Sequence, residues 1–299
     1  MEKMNVYPSI ATLDVKSTRD WSENYQYYIE EKIDGSQLSI VIVDGKLSFY
    51  NKHSRANMNN AFEKAITMLT FKYEGKDILN ANYIYHGESV CRIKHNVCVY
   101  ERTPKHYFIL YDIFDVVKNE YVSSEAKIKE AERVGFEMVP ILYQNQDPNQ
   151  NPYEICEKLF KDIEEGKITS CLGGIVEGIV LKHHAYYKKG KYVATKLKLV
   201  TKNFKERHAI KLPKAELSAD EFLESLGKSF CTEARFQKSL QHLIERDEVP
   251  NAGKMIAELN ADFDKEYKEE LSLLLYTEFS PLLKKLAREG VTNWFNNKI

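Results

Sequence analysis

Apolar and polar positions divide the chain into two parts. Through residue 200 the pattern is mainly that of strands. Residues 25–31 alternate loosely, 38–43 form a β-branched run, and 46–51 return after Asp44-Gly45, a dipeptide suited to a two-residue hairpin. Residues 82–90 read as a strand broken at Gly87. Residues 107–117 are almost continuously apolar, so that strand is expected to be buried on both faces. Residues 173–182 form a hydrophobic strand interrupted by Glu177, and 192–200 form the last strand. Helices interleave with these. Residues 60–72 carry an apolar stripe of Ala61, Phe62, Ala65, Ile66, Leu69 and Phe71, Ser123 opens a second helix, and 153–165 is a third. Past Lys211-Leu212-Pro213-Lys214 the strand signal stops and helical periodicity continues over 221–226, 233–246, 252–259, 267–278 and 281–294. The pattern predicts an α+β domain over residues 1–210, followed by a smaller all-α domain over 211–299.

Composition narrows the class. A chain of 299 residues with 43% hydrophobic and 29% charged residues is that of a globular protein with one or two cores. No apolar run is long enough to cross a bilayer. Met1 to Asn5 open no secretory signal, and five widely spaced cysteines without a Cys-x-x-Cys pair read as reduced thiols, so an intracellular, cytoplasmic protein is expected. The net charge of -1 conceals an asymmetry: residues 182–214 hold 10 Lys and 1 Arg against the single acid Glu206, a local +10. Tyr186, Tyr187, Tyr192 and Phe204 lie among those cations, a mixture suited to phosphates and stacked bases, although an exposed lysine-rich loop has the same composition. Lys188, Lys189, Lys191, Lys202 and Lys205 are the candidate nucleic-acid-binding residues of this segment.

The candidate chemistry centres on Lys32-Ile33-Asp34-Gly35, where Asp-Gly forms a tight turn and sets Lys32 just ahead of a reversal. The following hairpin is expected to bring Arg55 back toward Lys32, and a neighbouring cation with partial burial would favour the neutral, nucleophilic amine. The plainer reading is a surface turn with a solvated lysine. Glu88, just past Gly87, is placed to accept hydrogen bonds from ribose hydroxyls or simply to face water at an edge. Tyr111 suits either a base-stacking or a core role, and Asp112 beside it needs a partner. Glu177 inside an apolar strand calls for a cation or a metal. Lys196 and Lys198 share one strand face, so that face is expected to meet something anionic. His183 and His184 read as loop residues.

In order, Lys32-Ile33-Asp34-Gly35, the glutamate of His86-Gly87-Glu88, Phe108-Ile109-Leu110-Tyr111-Asp112, Glu177-Gly178-Ile179-Val180-Leu181-Lys182 and Lys196-Leu197-Lys198 resemble the five motifs of covalent nucleotidyltransferases. That superfamily contains polynucleotide ligases and mRNA capping enzymes. Arg55, Lys196-x-Lys198 followed by Phe204-x-Glu206, and the helical tail resemble the RNA ligase 2 family in particular. Asp34 stands where some of those proteins carry histidine. DNA-type ligases and capping enzymes carry an OB barrel after the fifth motif, and the strandless tail argues against both.

The resemblance implies a nucleotidyltransferase fold of ATP-grasp-like antiparallel sheets with flanking helices. It implies an ATP-dependent RNA ligase that joins 3′-OH and 5′-phosphate ends through a lysyl-AMP intermediate and an AMP-capped 5′ end, with nicks in duplex RNA or bridged ends as substrate. Lys32 would be the nucleophile, Lys196 and Lys198 would neutralise the α-phosphate, and Glu177 would act in catalysis and help hold Mg²⁺ or Mn²⁺. Glu31, Gln37, Arg55, Glu88, Tyr111 and Lys182 would bind the nucleotide. The first chemical step is expected to be contained in residues 1–210, with the helical domain assisting RNA grip. The protein is expected to act as a monomer, from a cellular or viral source. The alternatives are a DNA ligase or capping guanylyltransferase of the same superfamily and, in another class, a non-enzymatic RNA-binding protein.

Overall fold

The computed structural model describes residues 7–8, 10–13, 27–52, 54–145, 147, 150–183, 187–188, 191–192, 196–201 and 219–289. In chain order the strands are β1 (Ala11–Thr12), β2 (Tyr27–Lys32), β3 (Ser36–Val43), β4 (Lys46–Tyr50), β5 (Tyr83–Ser89), β6 (Phe108–Asp115), β7 (Glu120–Tyr121), β8 (Glu137–Met138), β9 (Ile141–Gln144), β10 (Gly178–His183), β11 (Tyr187–Lys188), β12 (Lys191–Tyr192) and β13 (Lys196–Val200). The helices are α1 (Glu63–Tyr73), α2 (Ser124–Val134), α3 (Pro152–Glu164), α4 (Ala219–Lys228), α5 (Glu233–Glu245) and α6 (Ala252–Ala287). The α+β class is therefore as the pattern predicts, and among the described residues the part after 218 is helical without strands.

Local signals explain most of these elements. Asp44 and Gly45 take φ of 49° and 73°, the left-handed values of a two-residue hairpin joining β3 to β4. Ser123 caps α2 by accepting a hydrogen bond from the Ala126 amide at 3.2 Å, and Asn151 caps α3 ahead of Pro152. In α1 the buried face is Ala65, Ile66, Leu69 and Tyr73, whereas Phe71 is 81% exposed. Phe71 falls outside the stripe because it lies two residues from Leu69, roughly 200° around the helix.

Two sheets organise the first part. One runs β1-β13-β10-β2-β9 and the other β4-β3-β5-β6-β7, with β8 added to β6. Ile29, Ile179, Leu181 and Leu197 on one face of the first sheet share a core with Cys156 and Ile163 of α3. Leu38, Ile40, Phe108 and Leu110 of the second are covered by residues of α1 and α2. Each sheet thereby keeps one face for its own helices and offers the other to the cleft described below.

The most compact division falls between Val249 and Pro250, so α4 and α5 belong to the same unit as the sheets. In the second unit, Asn251 caps α6 through the Lys254 amide at 3.0 Å. The three expected segments there join into one helix through Ala287. Residues 260–266 contain neither Gly nor Pro, and Pro281 removes only one ladder hydrogen bond. Lys189, Lys202, Lys205, Phe204, Glu206, His184 and the linker 211–214 lie outside the described residues, as do the side chains of Lys188, Lys191 and His183.

Gly87 sits where the register between β5 and β6 shifts, so the expected break is a bulge within a continuing strand. A Cβ there would overlap the Phe108 ring and lie 2.5 Å from the Ile109 carbonyl oxygen. Gly87→Ala should therefore destabilise the protein by about 2 kcal/mol through overpacking, read as a lower denaturant midpoint at unchanged slope. An unchanged midpoint would show that the bulge has room to spare.

Candidate active site

Lys32 ends β2, and its register partner on β10 is Gly178, immediately after Glu177. Pairing thus delivers the Glu177 carboxylate to the Lys32 amine at 2.7 Å. Glycine is required at 178, since a Cβ would lie 2.8 Å from the Val200 Cα and closer still to the Leu199 carbonyl oxygen. Asp34 performs a different task. Its carboxylate accepts from the amides of Val97 (2.7 Å) and Cys98 (2.6 Å) and from the Asn96 side chain (3.0 Å), so it locks the lysine turn onto the 96–98 loop.

A cleft of about 190 Å³ opens beside this pair, between the two sheets. Lys32, Lys182 and Lys198 line it from the first sheet, Gln37, Glu88 and Tyr111 from the second, and Tyr7, Pro8 and Ile10 from the N-terminal strap. Gln37 and Glu88 are register partners across β3 and β5. Gln37 Nε2 and Glu88 Oε2 are both buried without a protein hydrogen-bond partner, which suits them to polar groups of a ligand.

Behind the cleft lies a buried charge cluster. Lys182 Nζ reaches Glu30 at 2.6 Å, Asp112 at 3.2 Å and the Tyr111 carbonyl at 2.9 Å. Lys127 of α2 pairs with Glu30 and donates to the same carbonyl at 2.9 Å. Lys196 meets Asp112 at 3.0 Å and lies over the rings of Tyr121 and Tyr7, while the Tyr7 hydroxyl donates to Asp112 at 2.6 Å. Asp112 thus finds the partner that its position demands. Among these residues Tyr7, Glu30 and Lys127 carry no sequence signal, because a lysine within an amphipathic helix reads as solvent-facing.

The predicted residues are brought together unevenly. Lys32, Glu177, Gln37, Glu88, Tyr111, Lys182 and Lys198 converge. Lys196 shares the strand face of Lys198 but is turned to Asp112 and lies outside the cleft lining. Glu31 lines the cleft, yet its carboxylate accepts from the Cys171 amide at 3.0 Å. Arg55 pairs with Tyr50 at the exposed edge of the second sheet and does not line the cleft. Lys52, three residues earlier, does.

This corrects the sequence argument for a neutral Lys32. Burial works against its ammonium, but the Glu177, Glu88 and Asp34 carboxylates outweigh it and raise the pKa. The resting lysine is charged, because hairpin geometry supplies it with acids rather than with Arg55. The acids feel the converse. Burial pushes Glu88 up to about 8 and Glu177 up to about 7, only partly opposed by Lys32. Burial also lowers Lys196 to about 8 against the pull of Asp112.

Among the described residues no three His, Cys, Asp or Glu groups are arranged to hold a metal ion. Glu177 does not itself line the cleft but pairs with Lys32, which does. A single carboxylate so placed fits a cation shared with substrate phosphates, the usual habit of Mg²⁺.

Two facing, mainly antiparallel sheets thus enclose a cleft with a lysine-glutamate pair at one wall. The chain belongs to the RNA ligase family, whose model matches residues 25–200. Solved structures similar to it include a Naegleria gruberi RNA ligase variant with ATP and Mn (16% identity, 65% of this chain and 57% of that one, TM-score 0.47) and the same ligase with PPi (17%, 65% and 57%, 0.47). An archaeal ATP-dependent RNA ligase is also similar (12% identity, 80% of this chain and 67% of that one, TM-score 0.44). The chain spans 57% of the length of the Naegleria proteins. No curated protein matches it.

The raised carboxylates make stability depend on pH. A carboxyl whose pKa is higher folded than unfolded stabilises the protein fully below its unfolded value of 4.5, and that contribution is lost as pH rises through about 8 for Glu88. His86 and His95, whose pKa values burial lowers to about 3 and about 4, work the other way up to their unfolded value of 6.5. The melting temperature of the ligand-free protein should therefore fall between about pH 6.5 and 8, and Glu88→Gln should flatten the fall. An equally steep profile in the variant would remove Glu88 as its source.

Proposed function

We propose that the protein is an ATP-dependent RNA ligase acting through a lysyl-AMP intermediate on Lys32. The observation that carries this reading is the Lys32 amine held in a cleft whose second wall presents the unpartnered buried atoms of Gln37 and Glu88.

In the first step the Lys32 nitrogen attacks the α-phosphorus of ATP, the bond to the bridging β-oxygen breaks, and pyrophosphate leaves. Glu177 would help hold Mg²⁺ or Mn²⁺, which would supply positive charge for the phosphates. The amine must first shed a proton. Drawing Glu177 away removes the neighbour that holds that proton most strongly, and Lys198, two strands from Lys32, favours the ionised form of Glu177 that a cation would draw off. Lys198 neutralises the α-phosphate, while Lys196 acts from behind the wall through Asp112. Glu88 and Gln37 take the ribose and nucleotide polar groups, and Tyr111 stacks on adenine with Lys182 fixing its backbone carbonyl. Glu31 and Arg55 are assigned weaker roles at the margins of the nucleotide.

AMP then passes from Lys32 to a 5′-phosphate oxygen with cleavage of the P–N bond. A 3′-OH attacks that 5′-phosphorus and AMP leaves with its oxygen. The +10 segment, including Lys188, Lys189, Lys191, Lys202 and Lys205, tracks the RNA backbone of a nicked duplex or bridged ends, and residues 211–299 assist the grip. We further propose a monomer. Among the described residues no helix is long and apolar enough to cross a membrane.

Incubation with α-labelled ATP and Mg²⁺, followed by denaturing electrophoresis, should leave label on the protein. Lys32→Ala and Lys32→Arg should both abolish it, since guanidinium stays protonated and cannot attack. Label on either variant would mean another nucleophile. Competition by GTP and comparison of RNA with DNA nicks separate the ligase reading from capping and DNA joining. Salt-sensitive RNA binding without any label would favour a binding protein.

Glu177→Ala and Lys198→Ala should each slow adenylation about a hundredfold, the usual effect of removing one stabiliser of transition-state charge, with little change in melting temperature. A large drop in melting temperature at near-normal rate would make the residue part of a structural ion pair.

A further inference from the structure

Helix α5 lies beyond the five motifs, yet its last turn is built into the site they form. The end of an α-helix leaves backbone carbonyls without intrahelical partners. Here two of the last carbonyls accept from side chains of the first fifty-nine residues, that of Ile244 in addition to the Asp247 amide. Asn51 donates to the Glu245 carbonyl at 3.2 Å, and Asn59 donates to the Ile244 carbonyl at 2.8 Å and to the Asp247 carboxylate at 2.9 Å. Asn51 also accepts from the Ser54 amide at 2.8 Å and so closes the turn that carries Lys52. The helix end and that turn are fastened by the same asparagine.

The second connection runs through Ser36, the residue after Gly35 of the lysine turn. Gln241 donates to the Ser36 hydroxyl at 2.6 Å and, more weakly, to the Glu245 carboxylate at 3.3 Å. His95 Nε2 lies 2.9 Å from the same hydroxyl. The tautomer follows from the other ring nitrogen: His95 Nδ1 accepts from the Cys91 amide at 3.2 Å, so the proton is on Nε2 and is donated to Ser36. Burial lowers the His95 pKa to about 4, which keeps the ring neutral. Ser36 thus accepts twice, and its hydroxyl opposes the rise that burial imposes on the pKa of the nearby Glu245 carboxyl. A saturated serine facing a donating histidine is no nucleophile. It is a rivet, and Ser36, Gln241, Glu245, His95 and Asn51 are all at least nine-tenths buried.

Glu245 also faces the cleft electrically. Lys52, which lines it, attracts the Glu245 carboxylate, and Glu245 in turn is one of the charges acting on Glu88. We propose that Gln241 and Glu245 of α5 are positioning residues for adenylation: Gln241 fixes Ser36 at the end of the Lys32 turn, and the Glu245 carboxylate holds Gln241 and attracts Lys52, whose turn is bonded to the Glu245 backbone carbonyl. Gln37, the neighbour of Ser36 on β3, is held in the same act. The inference rests on the lysyl-AMP reading and extends it beyond residue 210, against the expectation that residues 1–210 suffice for the first step.

The test compares full-length Gln241→Ala, Glu245→Ala and the isosteric Glu245→Gln with wild type. Gln237→Ala serves as control, because on the same helix it bonds only the local Glu233. Three quantities are measured on each: protein-AMP formation over a range of ATP concentrations, calorimetric ATP binding, and melting temperature. Gln241→Ala and Glu245→Ala should raise the KM for ATP about tenfold or more, the scale of a small misplacement in a binding wall. The folded fraction should stay as in wild type, and Glu245→Gln should fall between. Normal KM and ATP affinity in all three variants would overturn the proposal, as would losses that follow only the folded fraction. Should wild type bind ATP but take no label, the ligase reading fails. The positioning role then stands or falls on whether the same variants weaken ATP binding.

Discussion

The interaction on which the rest depends is the buried cluster of Glu30, Asp112, Lys127, Lys182 and Lys196. Each sheet supplies one acid, Glu30 from β2 and Asp112 from β6, and the three lysines come from β10, β13 and α2. Side-chain exposures of 1–9% put all five in a medium where each ion costs several kcal/mol to desolvate unless paired. Pairing is only possible when both sheets and α2 stand in their observed places. The cluster is weak evidence for stability, since an apolar substitute of the same shape serves as well. Its value is in fixing geometry: any sliding of one sheet over the other strands a charge. Lys127 and Lys182 both donate to the Tyr111 carbonyl, so the residue proposed to stack on adenine is tied to the same joint.

Three cations against two anions leave the cluster with a formal excess of one positive charge just behind the cleft. Lys196 bears the consequence, with its pKa lowered to about 8 by burial despite Asp112. The rings of Tyr7 and Tyr121 against its amine make up part of the lost hydration through their π faces. Lys198, one pleat along the same strand face, lies opposite Val180 rather than Lys182 and reaches the cleft instead. A two-residue spacing that the sequence presents as one paired feature is split by register into one residue that serves the clamp and another that faces the ligand.

What could be read from the chain was what depends on local chemistry. The Asp44-Gly45 hairpin, the Ser123 cap and the unmet charge of Asp112 each declare themselves within a few residues, and the ordered motifs carried the class of fold. What could not be read depends on distant partners. Gln241 and Glu245 are ordinary polar residues of an amphipathic helix until Ser36 and Asn51, about two hundred positions away, bury them. Lys127 reads as solvated until Glu30 faces it. Tyr7 precedes any regular element and has no periodicity to mark it. Arg55 failed for the opposite reason: a hairpin was expected to return it to Lys32, but β4 lies at the outer edge of the second sheet while Lys32 belongs to the first.

The cleft's own charges restrict what it can admit. Around Lys32 stand Glu177, Glu88 and Asp34, with Glu245 acting on Glu88 from α5, while Lys52, Lys182 and Lys198 line other parts of the cleft, so Lys32 is the ammonium that carries these acids. The result is visible in Glu88 and Glu177, whose pKa values of about 8 and 7 mean that near neutrality each still holds a proton for much of the time. A polyphosphate arriving alone would meet carboxylates and push those protons on more firmly. Arriving with a divalent cation, it brings charge that favours ionised Glu177, and an ionised Glu177 engaged elsewhere is one that no longer secures the proton on Lys32. In the proposed lysyl-AMP route, the same acids that keep Lys32 an ammonium in the resting protein would make its activation conditional on the charge that accompanies the nucleotide, and so would protect the amine from reacting before the substrate is in place.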